Sequence, residues 1–262
     1  MSGLKNKQME SCFAGRPGDR NRQGSFFTFR NETLNLQRKQ TDMNRKKTWA
    51  MGQRIGLYLL GVAVLAFGIT LNTKTNLGVS PIISVAYCAA DISGISLGTT
   101  TFLWYMLMIA AQLLLLGKDF KPWQFLQVGA SFLTSWFIGI FETVLPAAEN
   151  MVMRFVLLGG AIVITSLGIL LTVGMEIVPN PADGFAHTLA RKMGQDLGFG
   201  KNLFDFACIL ISVTVGLAAG GRLIGIGVGT VCTMFLTGRV VAVMNRLAGN
   251  KVRAVVERSR SR

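Results

Sequence analysis

The chain has 262 residues, half of them hydrophobic, with 30 glycines and a formal charge of +14 from 27 Lys and Arg against 13 Asp and Glu. A basic excess of that size points first to nucleic acid, but residues 1–54 carry +8, residues 55–244 only +1 and residues 245–262 +5. A nearly neutral apolar body between two basic tails is the charge pattern of a multi-pass membrane protein and excludes both a nucleic-acid binder and a soluble domain.

In chain order, residues 1–50 are polar, basic and aperiodic, and are expected to form a disordered cytoplasmic tail. Met43 and Met51 stand just ahead of the first apolar run, so part of this tail is expected to lie upstream of the true start. Six stretches then have the length needed to cross a hydrocarbon core, about 20 helical residues. They are Ile55 to Leu71, Gly98 to Gly117, Pro122 to Phe141, Phe155 to Gly174, Leu203 to Ala219 and Leu223 to Met244. With both tails inside, the inner loops hold Lys118, Lys121, Arg191, Lys192 and Lys201, and the outer ones Lys74, Arg154 and Arg222. That bias follows the positive-inside tendency. Cys12, Cys88, Cys208 and Cys232 are scattered without disulfide or zinc spacing, and no metal or cofactor is expected.

An offset of 100 residues relates the two halves without a gap. It aligns Gly68 with Gly168, Pro81 with Pro181, Ala86 with Ala186, Gly94 with Gly194, Gly98 with Gly198 and Gly129 with Gly229. Repeat one is expected over 51–149, repeat two over 150–246, and a basic cytoplasmic tail over 247–262. Each repeat includes a segment too short to span, opening at Ser80-Pro81 or Asn180-Pro181. Proline in a first helical turn loses no hydrogen bond, and the residue before it can cap the free amides. Three spans per repeat is an odd number, so the second repeat is expected to be inverted. The fold class is therefore all-α integral membrane, six spans in two inverted three-span repeats, each with a half-helix that is either re-entrant or lies flat at the interface.

Half-helix N-termini expose amides and the positive end of a dipole, and discontinuous helices are where transporters place substrate. Candidate substrate-binding residues are accordingly Ser80, Pro81, Asn180, Pro181, Asp183 and His187, with Asn72, Thr73, Thr75 and Asn76 at the outer approach and Glu176 at the inner. Asp183 and His187, four apart, either pair by a hydrogen bond or face cytoplasm separately. Ionisable residues at membrane depth carry function by default. Asp205 is either a helix-start acid opposing the dipole or an ion-coupling carboxylate, and Arg239 either couples or reaches the headgroups. Glu142 reads as solvated, Asp91 as part of a polar exposed face, and Gly225, Gly227 and Gly229 as small residues packing within the last span.

Several motifs recur in order: Leu77-Gly78-Val79-Ser80-Pro81, Ser93-Gly94-Ile95-Ser96-Leu97-Gly98-Thr99, Pro181-Ala182-Asp183-Gly184, and Ile224-Gly225-Ile226-Gly227-Val228-Gly229-Thr230. Over about residues 50 to 245 the chain resembles the YczE/YyaS/YitT group of bacterial multi-pass membrane proteins. That group tends to carry an acid two residues after the first proline; Asp183 matches in the second repeat, but Ile83 stands there in the first. The resemblance implies a polytopic inner-membrane protein often described as transporter-like.

No catalytic motif is present, and the chain is not expected to be an enzyme. The expected function is a secondary transporter or permease for a small solute, in the bacterial inner membrane with both termini cytoplasmic and the basic tails on anionic lipid headgroups. The alternative is a non-transporting scaffold or regulator acting through a partner or anionic lipid.

Overall fold

The computed structural model describes residues 20–260, and among these it is helical throughout, without strands. The expectations for residues 1–19, Cys12 included, lie outside the described residues. The chain divides into two units between Trp49 and Ala50. A helix begins at Arg20, inside the segment expected to be disordered.

The helices are α1 (Arg20–Thr73), α2 (Pro81–Ser93), α3 (Leu97–Leu116), α4 (Leu126–Val144), α5 (Met151–Gly174), α6 (Pro181–Lys192), α7 (Leu197–Gly220) and α8 (Val228–Arg260), with short 3-10 turns at Gly117–Asp119 and Pro122–Phe125. Among the described residues, six segments are long and apolar enough to cross a membrane: Thr48–Thr73, Leu97–Asp119, Pro122–Val144, Met151–Gly174, Gly198–Ala219 and Val228–Arg260. Their outward faces carry large apolar side chains such as Leu107, Leu114, Val152 and Phe206. Such faces fit lipid rather than water. The protein is a membrane protein.

The last span differs from the sequence expectation at both ends. The last span starts at Val228, not Leu223, because Gly221 and Gly225 take left-handed backbone at φ 62° and 72°. Gly225 and Gly227 are therefore not packing residues within a helix. Instead they lie against the loop before α2, where the Val79 amide donates to the Gly225 carbonyl at 2.8 Å and the Gly229 amide to Leu77 at 2.7 Å. A Cβ on Gly229 would stand 2.8 Å from the Gly78 carbonyl oxygen, so only glycine permits this approach. At the other end α8 runs on to Arg260, through most of the segment expected to be a tail.

The 100-residue offset recurs in the backbone. Ser80 and Asn180 precede their prolines with nearly identical dihedrals, φ −55°, ψ 140° and φ −58°, ψ 141°. Asn76 and Glu176 both take positive φ, 54° and 49°, and Gly94 and Gly194 close their helices at 71° and 64°. The crossing of α1 and α5 is reciprocal. A Cβ on Gly68 would meet the Thr165 amide nitrogen at 2.6 Å, and one on Gly168 would meet the Leu65 Cα at 2.5 Å, Thr165 being the offset partner of Leu65. Small residues there let the two backbones touch.

Both short helices start inside the core. Pro81, Ile83 and Ala86 of α2, and Pro181, Ala182 and Ala186 of α6, are buried. Of these, Ile83, Ala182 and Ala186 join Leu65 and Ile69 of α1, Tyr105 and Met108 of α3, and Phe204 and Cys208 of α7 in one cluster. A connector lying flat on a surface would not bury its first two turns in this way. The α2 helix packs chiefly on α7, the other half's second span, whereas the α6 helix packs on both α7 and α3.

Candidate functional site

Each half-helix is fixed at its first turn by side chains of α3. Trp104 Nε1 donates to the Ile82 carbonyl at 2.9 Å, and Gln112 Nε2 donates to the Pro181 carbonyl at 3.1 Å. Gln112 is itself paired with Gln127 of α4 through amide hydrogen bonds of 3.2 and 3.4 Å, and both residues are buried. Gly184 lies against this pair, where a Cβ would come within 3.0 Å of Gln112 Oε1. On the α2 side, Ser212 donates to Ser84 at 2.8 Å. The 100-residue offset carries Ser84 onto Gly184 and Gln112 onto Ser212, so the same junction is built twice with different side chains.

Two cavities follow from this arrangement. A small one of about 70 Å³ lies where the two half-helix N-termini meet, touched by Asn72, Ser80, Pro81, Asn180, Asp183 and Asp205 among others. A larger one of about 580 Å³ has apolar walls from Leu116, Trp123, Val173 and Val241, and a charged mouth of Asp119, Lys121, His187 and Arg191. Ile169, Asp183, Lys201 and Thr237 line both, so the two share a wall.

Their order along the molecule can be read from α8. Gly229 seals against Leu77, Thr233 and Thr237 line the small cavity, and Thr237 and Val241 line the large one. At 1.5 Å per residue this is a progression from a sealed end, through the small cavity, to an open vestibule. The sealed end is held by the backbone bonds between residues 77–79 and 225–229.

The charged groups concentrate at the shared wall. Lys201 Nζ stands 3.4 Å from Asp205 Oδ2 one helical turn along α7. Asp205 is 2% exposed, and its Oδ1 has no hydrogen-bond partner. Asn72, 4% exposed on α1, likewise has an unpartnered Oδ1. Because α7 starts at Leu197 rather than Leu203, Asp205 lies well past the first turn, where opposing the dipole would have placed it. An aspartate at the centre of a lipid-facing helix costs about 2.5–3.5 kcal/mol, which inward orientation toward a lysine avoids.

Six of the expected site residues reach this region. Ser80, Pro81, Asn180, Asp183 and Asp205 line the small cavity, and His187 is exposed at the vestibule. Asp183 and His187 form no hydrogen bond or ion pair with each other. Pro181 sits behind the wall with its carbonyl on Gln112. Asn180 caps α6 by accepting from the Ala182 amide at 3.2 Å and faces the Tyr105 hydroxyl, whereas the Ser80 side chain makes no such cap on α2. Arg239 is exposed and lines neither cavity.

Of the outer-approach residues, Asn72 reaches the cavity, while Thr73 and Thr75 bond back to the carbonyls of Thr70 and Asn72. Glu176 pairs with Arg260 at 2.6 Å, and Arg54 donates to the carbonyls of Met175 and Glu176 at 2.7 and 2.8 Å. The expectation of a solvated acid is corrected for Glu142, which is half-buried and accepts from the Leu97 amide at 2.9 Å, capping α3. Asp91 lies on an exposed face and pairs there with Arg222 at 2.7 Å. Sequence reading missed Lys201, Tyr105, Gln112 and Gln127. The one available signal was two glutamines and a tyrosine inside otherwise apolar spans.

Residues 52–246 match a family of unknown function, DUF6198, and the chain belongs to that family. It is 24% identical over 188 residues to an uncharacterized membrane protein, YczE, of Bacillus subtilis (strain 168), covering 70% of this chain and 81% of that protein. No solved structure matches the chain.

Proposed function

We propose that this member of the DUF6198 family is a secondary transporter of the cell membrane that carries a small solute between two inverted repeats. The observation that carries the reading is that both half-helix N-termini end on one cavity, which is the arrangement discontinuous-helix transporters use for substrate and coupling ion. Several features support inversion. The reciprocal Gly68 and Gly168 crossing is that of a local two-fold relation. Asp91, near the end of α2, pairs with Arg222 beside the sealed loop, while Arg191, near the end of α6, stands 4.0 Å from Asp119 at the vestibule mouth. The two short helices thus leave the cavity in opposite directions.

The vestibule is the solute chamber in this reading. Its volume of about 580 Å³ falls in the range of roughly 300–1,000 Å³ typical of small-molecule sites, and its apolar wall with a charged mouth suits an amphipathic solute. The mouth carries Lys121 and Arg191, with Lys118 and Lys192 beside them. The positive-inside tendency therefore makes this a cytoplasm-facing state with both termini inside. Exchange of the seal between residues 77–79 and 225–229 for an equivalent closure at the vestibule would give alternating access.

The test is electrogenic flux in proteoliposomes challenged with a panel of amino acids, organic acids, sugars and nucleosides. At least one class should give a signal that Asn180→Ala and Asp183→Ala abolish while remaining inserted and monodisperse. Wild-type signals in both variants, or none from the native protein across the panel, would favour the scaffold reading.

A further inference from the structure

The small cavity has a chemistry of its own, distinct from that of the vestibule. Its two acidic side chains, Asp183 and Asp205, have a single cationic side chain, Lys201, beside them in the lining. Two deeply buried oxygens, Asp205 Oδ1 and Asn72 Oδ1, lack any donor. Buried acceptors without partners are rare and call for a ligand or ion.

The polarity of the site selects against an anion. The Ala182 amide at the start of α6 already donates to Asn180, and Asp183 in that first turn opposes the dipole. A divalent ion fits this space poorly, because Ca²⁺ takes about six to eight oxygens and Mg²⁺ on one or two carboxylates keeps several waters. About 70 Å³ is roughly the liquid volume of two waters, enough for a bare monovalent ion with a water and too small for an organic solute.

We propose that this cavity binds one monovalent cation between Asn72, Asp183 and Asp205, in exchange for the Lys201 ammonium, and that this ion is the coupling ion. The coupling clause rests on the transporter reading, whereas the binding site stands without it. Lys201 holds Asp205 in the empty state at 3.4 Å, and its side chain is 35% exposed, so it has room to swing into the vestibule it also lines. A cation entering from the vestibule meets Asp183 first, displaces the ammonium from Asp205 and gives the two free oxygens a partner. Lys201 is then released to the wall of the solute chamber, which links ion occupancy to the charge the solute meets.

Asp205 occupies the position that Tyr105 holds in the other half, and Asp183 the position of Ile83. The first half places a hydroxyl on Asn180 where the second places a carboxylate near Ser80. The duplicated frame is therefore specialised for an ion on one side only.

The experiment is a thermal melt of the purified full chain in detergent against sodium, potassium and ammonium chloride, with N-methyl-D-glucamine chloride holding ionic strength. At least one of the three cations should raise the melting temperature saturably. Asp205→Asn and Asn72→Leu should each weaken the apparent affinity by about tenfold or more, and Lys201→Met should strengthen it by a similar factor. Asn72→Leu keeps the test decisive if Asp205→Asn does not fold. No preference over N-methyl-D-glucamine, a response to pH alone, or unchanged affinity in the folded variants would overturn the site. Saturable binding without flux of any panel solute would overturn the transporter reading and leave the site standing; flux indifferent to all three cations, with no melting response, would do the reverse.

Discussion

At the residue scale, the buried amide pair shows how a few polar groups fix a helix end at membrane depth. Gln112 makes three hydrogen bonds to two partners on two elements, Gln127 and the Pro181 carbonyl, and nothing else in the surrounding apolar packing can replace them. Gln112→Ala should lower stability in detergent by about 1–3 kcal/mol, because it strands a buried carbonyl as well as the Gln127 amide. Gln112→Glu would put a charge beside the carbonyl oxygen of Pro181 and should be worse. Thermal melts of both variants against the native protein check this order. Arg54 plays the matching part on the segment leading into α6, donating to the Met175 and Glu176 carbonyls. Arg54→Met keeps much of the stem packing but leaves those carbonyls bare, and faster proteolysis around residues 174–180 is the expected readout.

At the element scale, the two half-helices are short because proline and glycine bracket them, and they are internal because the second spans of the two halves, α3 and α7, both pack on them. Gly78 is the tightest point before α2, with φ 107° and a Cβ position 2.6 Å from the Gly227 amide nitrogen. Gly78→Ala therefore meets both backbone strain and a clash, and should give protein that inserts poorly or elutes as aggregate. Gly168→Val at the α1 and α5 crossing meets Leu65 backbone and should destabilise by about 1–3 kcal/mol or more. Gly159→Val, facing open space on the same helix, should be tolerated, which separates crossing geometry from helix propensity. Expression level and size-exclusion profile measure all three. The positions of the spans were legible in the apolar runs, but α7 starts earlier and α8 ends later than those runs, and Gly221 to Gly227 carry apolar neighbours without being helical. Hydropathy cannot distinguish a glycine-rich loop sheltered by another loop from the first turn of a span.

At the scale of the whole molecule, the proposed inversion makes a sharp expectation about sidedness. Ser93 and Met193 are offset partners, and both are exposed at the ends of the half-helices. In a cysteine-free background, Ser93→Cys should react with an impermeant maleimide from outside the cell and Met193→Cys only after the inner face is opened. Labelling of both from one face would refute inversion.

The sequence by itself determined the membrane class, the six spans, the two short segments and the 100-residue correspondence, because each rests on local composition and spacing that hold whatever the chain packs against. Only the tertiary structure decided which polar residues share a cavity. Asp205 and Lys201 are neighbours along one helix, but Asn72 and Asp183 reach them from helices more than 100 residues apart in the case of the first, through a crossing the offset could not orient. The +14 of the whole chain likewise became informative by position: the tails hold nearly all of it, and the proposed cation site rests on two acids, Asp183 and Asp205, that share one lysine, Lys201. Local patterns fix what a membrane segment is, whereas the meeting of buried charges depends on how segments close on one another.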